Sequence, residues 1–339
     1  MTILVKPFTY TVALDGQDAT QDLREFGASI TYTDNAESEA DTIEIAMGDP
    51  DGRWRDEWYP DPGMTVEFSV KYDGEEGESG EIPPVQFEID NPKFSSRAGG
   101  SGGKKVRLRG KTVPISLPLN TKGSEEFEEQ TLSAIASKIA SNLGLELVGE
   151  FESDIALKRV TREDETPLEF LKRLSEKYGY WFKIESKTKL VFYSKKALDA
   201  QEPAFTLTEA DTENLDWGLD STEKYSKAKV SYTNPESGET IEVEVEAEEA
   251  IESENVLEIN EAVQDEEEAK IVAKEKLRRA NAGRVKLEFK CIGNPLILAG
   301  VMFELKDIGR DSGKYLIKKA THTLDSQRGW KTSCNAEKK

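Results

Sequence analysis

The sequence predicts an α+β chain that is mainly β: two β-barrel-like units with an α/β insertion and an acidic hairpin-helix excursion. Three observations predict it. Short alternating runs bounded by turn residues fill residues 1–118 and return after 284. Two successive patterns of a short amphipathic helix, a glycine and a strand lie between 131 and 193. A strand with a carboxylate at every second position precedes an amphipathic, charge-sorted helix between 240 and 282.

In the first β unit, residues 1–118, strands are expected at Phe8 to Leu14, Ala28 to Tyr32, Thr42 to Met47, Met64 to Tyr72, Val85 to Ile89 and Val106 to Arg109. The segments DGEEGESGE at 73–81 and SSRAGGSGGKK at 95–105 are too polar to order themselves and read as hairpin tips. Asp49, Asp51 and Gly52 resemble the opening of a calcium loop, but the later ligands are not at the required spacing, so turn residues around Trp54 are expected. Trp54, Trp58 and Tyr59 sit in DPDGRWRDEWYPDPG, either as exposed contact anchors or folded back over the core.

The α/β insertion spans 119–195. Its first helix carries the stripe Leu132, Ile135, Ile139, Leu143. The second is better delimited. Thr166 can cap it, Pro167 suits its first position, and Glu169 can reach back to the cap. Leu168, Leu171, Leu174 and Tyr178 form its face, and Gly179 stands where a left-handed C-terminal cap belongs. Tyr180 to Ile184 and Lys189 to Tyr193 then read as an aromatic β-hairpin.

The excursion spans 196–283. Tyr225 to Tyr232 and Thr240 to Ala247 form a hairpin turning at Asn234 to Gly238, with Ile241, Val243 and Val245 on one face and Glu242, Glu244 and Glu246 on the other. Gln264 to Ala282 has acids first, bases last and Gly283 after it, so its ends suit the helix dipole. Residues 284–339, completed by strands from 196–235, form the second β unit, with runs at Val285 to Cys291, Met302 to Lys306, Leu316 to Thr323 and Lys331 to Asn335.

Composition narrows function. The net charge of −21 over 339 residues opposes a phosphate-binding surface, so sequence-specific nucleic-acid binding is not expected. No apolar run approaches the roughly 20 residues a membrane span needs. The N-terminus alternates like a strand and does not read as a signal peptide. Cys291 and Cys334 are too few for a disulfide framework, and with His322 they lack zinc-site spacing, so no metal and no cofactor are expected. His322 is the sole histidine, in the strand-like KKATHTL, and is expected to be packed or hydrogen-bonded. Glu163, Asp164 and Glu165 precede a helix start, where favourable interaction with the N-terminus outweighs a glycosidase-like dyad. No GxSxG, P-loop or GxGxxG occurs, and no catalytic residue is assigned.

The ordered set of the Thr131 to Ala140 helix, the TPLEFLKRLSEKYG helix and the final block resembles the late control protein D family of contractile phage tails, whose members are baseplate hub proteins. The positions carrying it are Thr166, Pro167, Leu171, Leu174 and Gly179, then Pro295, Gly300, Gly313, Tyr315, His322 and Gly329. The resemblance implies a non-enzymatic homotrimeric ring with two similar β units per subunit, joining a sixfold tail tube to a threefold central spike. Partners would be the tail tube protein, the central spike protein and other baseplate proteins, in a virion tail baseplate assembled in the bacterial host cytoplasm. An acidic lumen would keep DNA from sticking. The chain carries no recognisable C-terminal spike or lysozyme segment, so the spike is expected to be a separate polypeptide. Two alternatives stand beside this one: a tail-associated cell-wall hydrolase using acidic residues, and the hub of a phage-like bacteriocin or secretion machine.

Overall fold

The computed structural model describes residues 8–36, 39–73, 79–96, 103–113, 121–149, 151, 154–219, 224–233, 238–248, 251–281 and 285–339. The centres of both polar hairpin tips, most of the turn expected at Asn234 to Gly238, the first seven residues and Gly283 lie outside the described residues.

Among the described residues, fourteen strands hydrogen-bond into one sheet. Its main path runs Asn214–Leu219, Val285–Ile292, Gly329–Lys338, Gly313–Asp325, Ser29–Asn35, Thr42–Gly48, Lys104–Lys111, Ser79–Ile89, Thr65–Asp73, Phe8–Leu14 and Gln17–Asp18. Lys93–Ser96, Thr206–Leu207 and Met302–Leu305 pair off this path. Alternation sorts the faces as the sequence predicts: Val285, Leu287, Phe289 and Cys291 are buried while Lys286, Glu288 and Lys290 are exposed.

The two β units therefore share a sheet. Their seam is the antiparallel pairing of Lys319 through Asp325 with Asn35 through Ser29. On the N-terminal side the core contains Ile30, Ile43, Phe68, Phe87 and Leu108, and it takes Leu324 and Trp330 from the C-terminal strands. On the C-terminal side a second core holds Leu287, Phe289, Phe303, Tyr315 and Ile317. The main path is open at both ends among the described residues.

Among the described residues, five α-helices accompany the sheets: α1 (Thr20–Glu25), α2 (Leu132–Asn142), α3 (Pro167–Tyr178), α4 (Lys195–Asp199) and α5 (Glu266–Asn281). The capping box of α3 forms as expected. Thr166 Oγ1 accepts from the Glu169 amide at 3.2 Å, and Glu169 accepts from the Thr166 amide at 2.8 Å. Gly179 ends the helix at φ 77°, and a Cβ there would also lie 2.8 Å from Glu275 Oε2. Position 179 is thus reserved for glycine twice over, by backbone conformation and by space.

The excursion does not stand apart from the insertion. Ala228, Val230 and Val243 of the three-stranded sheet Thr240–Glu246, Lys227–Thr233, Val256–Ile259 join Val272 and Leu277 of α5 in one core with Phe127, Ile135, Phe170, Leu171, Leu174 and Phe192. Glu268 and Glu275 of α5, which charge patterning alone would leave in water, are buried. The Tyr178 hydroxyl and the Lys177 ammonium each donate to Glu268 at 2.7 Å. Lys195 and Arg278 donate to Glu275 at 3.1 and 2.9 Å. Buried charges of this kind persist only when paired and hydrogen-bonded.

The loop around Trp54 folds back. Trp54 is buried and meets Trp58 edge to face at 5.6 Å, while Asp49 accepts from the Trp54 amide and pairs with Arg55, forming a turn instead of a cation loop. Tyr59 alone of these aromatics is largely exposed, stacked on Phe94 at 5.3 Å.

Leu171 and Leu174 are fully buried in the shared core. Replacing both with Ala is expected to cost about 4–10 kcal/mol, reduced by coupling between these near neighbours. Urea unfolding checks this; an unshifted midpoint would refute the core assignment.

Candidate functional site

Three segments distant in sequence meet at one carboxylate. Asp34, near the end of Ser29–Asn35, is buried. Its Oδ1 accepts from the Lys183 ammonium at 2.8 Å, and its Oδ2 accepts from the Ala299 amide at 2.8 Å. Lys183 lies within Tyr180–Glu185, otherwise rich in aromatics, and reaches a second buried carboxylate, Asp41, at 3.2 Å. Asp41 in turn accepts from the Asn35 amide at 2.9 Å. The first β unit, the helix-hairpin module and the loop at 293–300 are thereby tied at a single charged node.

The electrostatics follow from burial. Desolvation and the adjacent Asp34 carboxylate raise the Asp41 carboxyl to about 7, against the pull of Lys183. Burial works against the Lys183 charge, but the two carboxylates outweigh it and hold its pKa above the ordinary range. Beside the node lies a crevice of about 270 Å³ lined by Trp181, Leu198, Leu298 and Gly300 among others. A small apolar cluster of Trp181, Leu198, Met302 and Leu316 packs next to it, and the Lys318 ammonium sits 4.1 Å from the Trp181 ring centroid.

The loop at 293–300 is a clasp. The Gly293 amide donates to the Trp330 carbonyl at 2.9 Å, the Asn294 amide to Thr332 Oγ1 at 3.2 Å, and the Gly300 amide to the Ile317 carbonyl at 2.8 Å. Trp330 Nε1 donates to His322 Nδ1 at 3.3 Å. Nδ1 is therefore the acceptor, so the ring proton sits on Nε2 and is donated to the Ile297 carbonyl at 3.0 Å. Tyr32 stacks on the His322 ring at 5.9 Å. A Cβ at Gly293 would lie 2.1 Å from the Trp330 ring, and one at Gly80 would lie 2.7 Å from Pro295, so both approaches require glycine.

The residues singled out in the sequence separate into groups. Pro295, Gly300 and His322 come together in the clasp. Gly313 opens its strand, Gly329 takes φ 74° where the last two strands turn, and buried Tyr315 donates to the Asp311 carbonyl at 2.7 Å. Thr166, Pro167, Leu171, Leu174 and Gly179 shape α3 and its core. Glu165 grips Arg173 with both oxygens at 2.9 and 2.7 Å, a structural pairing at the start of α3. Cross-strand register puts Thr332 opposite both Cys291 and His322, while Cys334 faces Phe289 and Ala320. Both ring nitrogens of His322 are engaged, and burial pushes the Cys291 thiol up to about 12 and Cys334 upward as well. Among the described residues no group of three or more His, Cys, Asp or Glu is placed to hold a metal.

Asp34, Asp41 and Lys183 were not singled out by sequence. The one local signal is a lysine inside the apolar run YWFKI, whose charge demands a partner.

Residues 101–328 match the model of the phage tail baseplate hub (GPD) family. The chain belongs to that family. It is 25% identical over 208 residues to the probable baseplate hub protein of Escherichia phage P2 and 23% identical over 206 residues to that of Escherichia phage 186. Each match covers 60% of this chain and 50% of the relative, so the chain spans about half the length of these relatives. The fold is similar to the tail protein from Neisseria meningitidis MC58, at TM-score 0.71 and 14% identity over 98% of this chain and 96% of that one. It is also similar to the 43 kDa tail protein of prophage MuSo2 from Shewanella oneidensis, at TM-score 0.72 and 17% identity over 98% of each chain. A more distant likeness, TM-score 0.55 and 14% identity over 99% of this chain and 75% of the other, is to the E. coli c3393 protein, a component of the type VI secretion system. The family match takes in Lys183, the clasp and His322, and leaves Asp34 and Asp41 outside it.

Replacing Asp34 with Ala is expected to cost about 3–5 kcal/mol, because it strands the Lys183 ammonium against Asp41 alone and orphans the Ala299 amide. Urea unfolding beside an exposed control, Asp164→Ala, measures the difference. His322 gives a pH signature. Burial pushes its pKa from 6.5 down to about 4, so between those values the unfolded chain binds a proton that the folded chain refuses, and this residue makes stability rise with pH across that window. Asp41, raised from 3.8 to about 7, acts oppositely: its contribution is present below 3.8 and fades as pH rises through 7. The ring resonances of this single histidine should remain those of the neutral form down to about pH 5 by NMR; titration near the ordinary value would overturn the buried neutral assignment.

Proposed function

We propose that this chain is the structural hub of a contractile-tail baseplate, three copies forming a ring that joins the sixfold tail tube to the threefold central spike. Family membership supports the hub role. The observation that carries the ring is the end of the sheet. Among the described residues, strand Asn214–Leu219 has a neighbour on one side only, and its Trp217 and Leu219 are 42% and 64% exposed. An edge that is both unpaired and apolar suits continuation of the sheet by another chain.

In this assembly, residues 1–118 and residues 284–339, the latter completed by Thr206–Leu207 and Asn214–Leu219, are the two ring-forming units. Three subunits with two such units each present six positions to a tube and three to a spike. Closure needs head-to-tail contacts that return after a fixed rotation. The segment 119–195 and the excursion from Lys227–Thr233 through α5 form the outer part of the subunit. His322, closed inside the clasp with both nitrogens engaged, supports a mechanical role over hydrolysis. Partners are then the tube protein, the spike protein and neighbouring baseplate proteins, in a virion assembled in the host cytoplasm.

Light scattering of the purified chain, alone and mixed with the tube protein, should give three times the 37.8 kDa chain mass, with threefold rings around a central hole in negative stain. Trp217→Glu with Leu219→Glu should abolish the ring and leave the melting temperature within a few degrees of the parent. A monomer under both conditions would overturn the ring.

A further inference from the structure

A basic row stands out on this strongly acidic chain. In Lys104–Lys111, Val106 and Leu108 are buried, and Lys105, Arg107 and Arg109 point outward and are exposed. The strand is interior to the sheet, paired with Thr42–Gly48 on one side and with Lys93–Ser96 and the end of Ser79–Ile89 on the other. Charges that guard a free edge do not explain it. Of its cross-strand neighbours, Gly48 and Ser95 flank Lys105, and Ala46 and a fourth cation, Lys93, flank Arg107. Glu44, opposite Arg109, reaches Arg107 at 3.2 Å, and among the described residues Lys93, Lys105 and Arg109 make no ion pair. Four cations face one carboxylate here, on a chain with 66 acidic and 45 basic residues.

We infer that this row is a docking ridge for a second copy of the chain, received along the carboxylate row Glu242, Glu244, Glu246. Charge carries the inference, and strand geometry permits it, since alternate residues on any strand repeat at about 6.6–6.8 Å and the two rows can run side by side. The three glutamate side chains are 57%, 51% and 78% exposed, and Lys227 and Lys229 of the next strand pair with them, so three carboxylates against two ammonium groups leave the row an excess of one negative charge. Arginine's planar fork donates two parallel hydrogen bonds to a carboxylate, which favours Arg107 and Arg109 as the central contacts. A duplex offers a similar row of anions, but 66 carboxylates on the same chain repel it. The inference rests on the ring assembly proposed above and adds a contact remote in sequence from the Asn214–Leu219 edge.

The test uses the full chain in sedimentation velocity at about 50 mM and about 500 mM salt. Arg107→Glu with Arg109→Glu should weaken self-association at least about tenfold at low salt, and Glu242→Lys with Glu244→Lys in the same chain should recover most of it. Lys105→Gln with Arg109→Gln, which introduces no new charge, should weaken it less but in the same direction. Circular dichroism melts verify that each variant folds. Rings that persist unchanged after charge reversal would refute the ridge and leave the hub reading intact; loss without recovery by the paired swap would refute the glutamate row as its partner. A labelled 20-base-pair duplex that binds the parent but not the Arg107 and Arg109 variant would assign the ridge to nucleic acid and overturn the inference.

Discussion

The docking of the helix-hairpin module and the clasp on the first β unit converges on the Asp34 carboxylate. A buried carboxylate is costly unless its lone pairs are filled, and this one fills them with an ammonium from the helix-hairpin module and an amide from the clasp. Neither partner can be satisfied elsewhere at equal cost. Lys183 is the one charged residue between the core residues Phe182 and Ile184, and it keeps only a narrow exposure at the crevice, so most of its solvation must come from the two carboxylates. The contact is therefore less a source of net stability than a demand for one arrangement, because a mis-docked module would strand three charges in a poorly solvated place.

The same logic recurs at the junction of α3, α4 and α5. Glu268 and Glu275 bring carboxylates into an apolar core, and Tyr178, Lys177, Lys195 and Arg278 converge to meet them. Apolar contact alone would allow α5 to slide along its stripe; polar groups that must be matched set its register. Gly179 completes the arrangement by ending α3 and leaving room for the Glu275 head group. A helix stop chosen for backbone reasons thus also positions a charge 96 residues away in the chain.

What could be read from the sequence was what neighbouring residues decide. The capping box at Thr166 and Glu169, the left-handed Gly179, and the alternation of Ile241, Val243 and Val245 with glutamates depend on contacts a few residues apart, and each appears where the pattern puts it. What could not be read depends on who meets whom. Lys183 and Asp34 are 149 residues apart, and nothing near Asp34 announces that its carboxylate will be enclosed. Gly293 looks like an ordinary turn glycine until the Trp330 ring arrives against it. The α5 stripe of Val272 and Leu277 declares a buried face but not its partner, so its sharing of a core with Phe170 and Phe192 could not be anticipated. Trp54 and Tyr59, five residues apart in one Pro- and Asp-rich loop, went opposite ways, one into the core and one to the surface.

The seam between the two β units has a mechanical consequence. Seven residue pairs, Ser29 with Asp325 through Asn35 with Lys319, hold the halves of the sheet together. Tension along the strands loads all of those hydrogen bonds at once, so they share the force and none yields before the rest. Tension across the strands meets them one pair at a time, from whichever end opens first. The subunit is accordingly stiff in shear and weak in peel at this line. The Asp34 node and the Ala299–Gly300 end of the clasp lie where peeling would begin at the Asn35 end, so these contacts, small in area, guard the direction in which the sheet is easiest to tear.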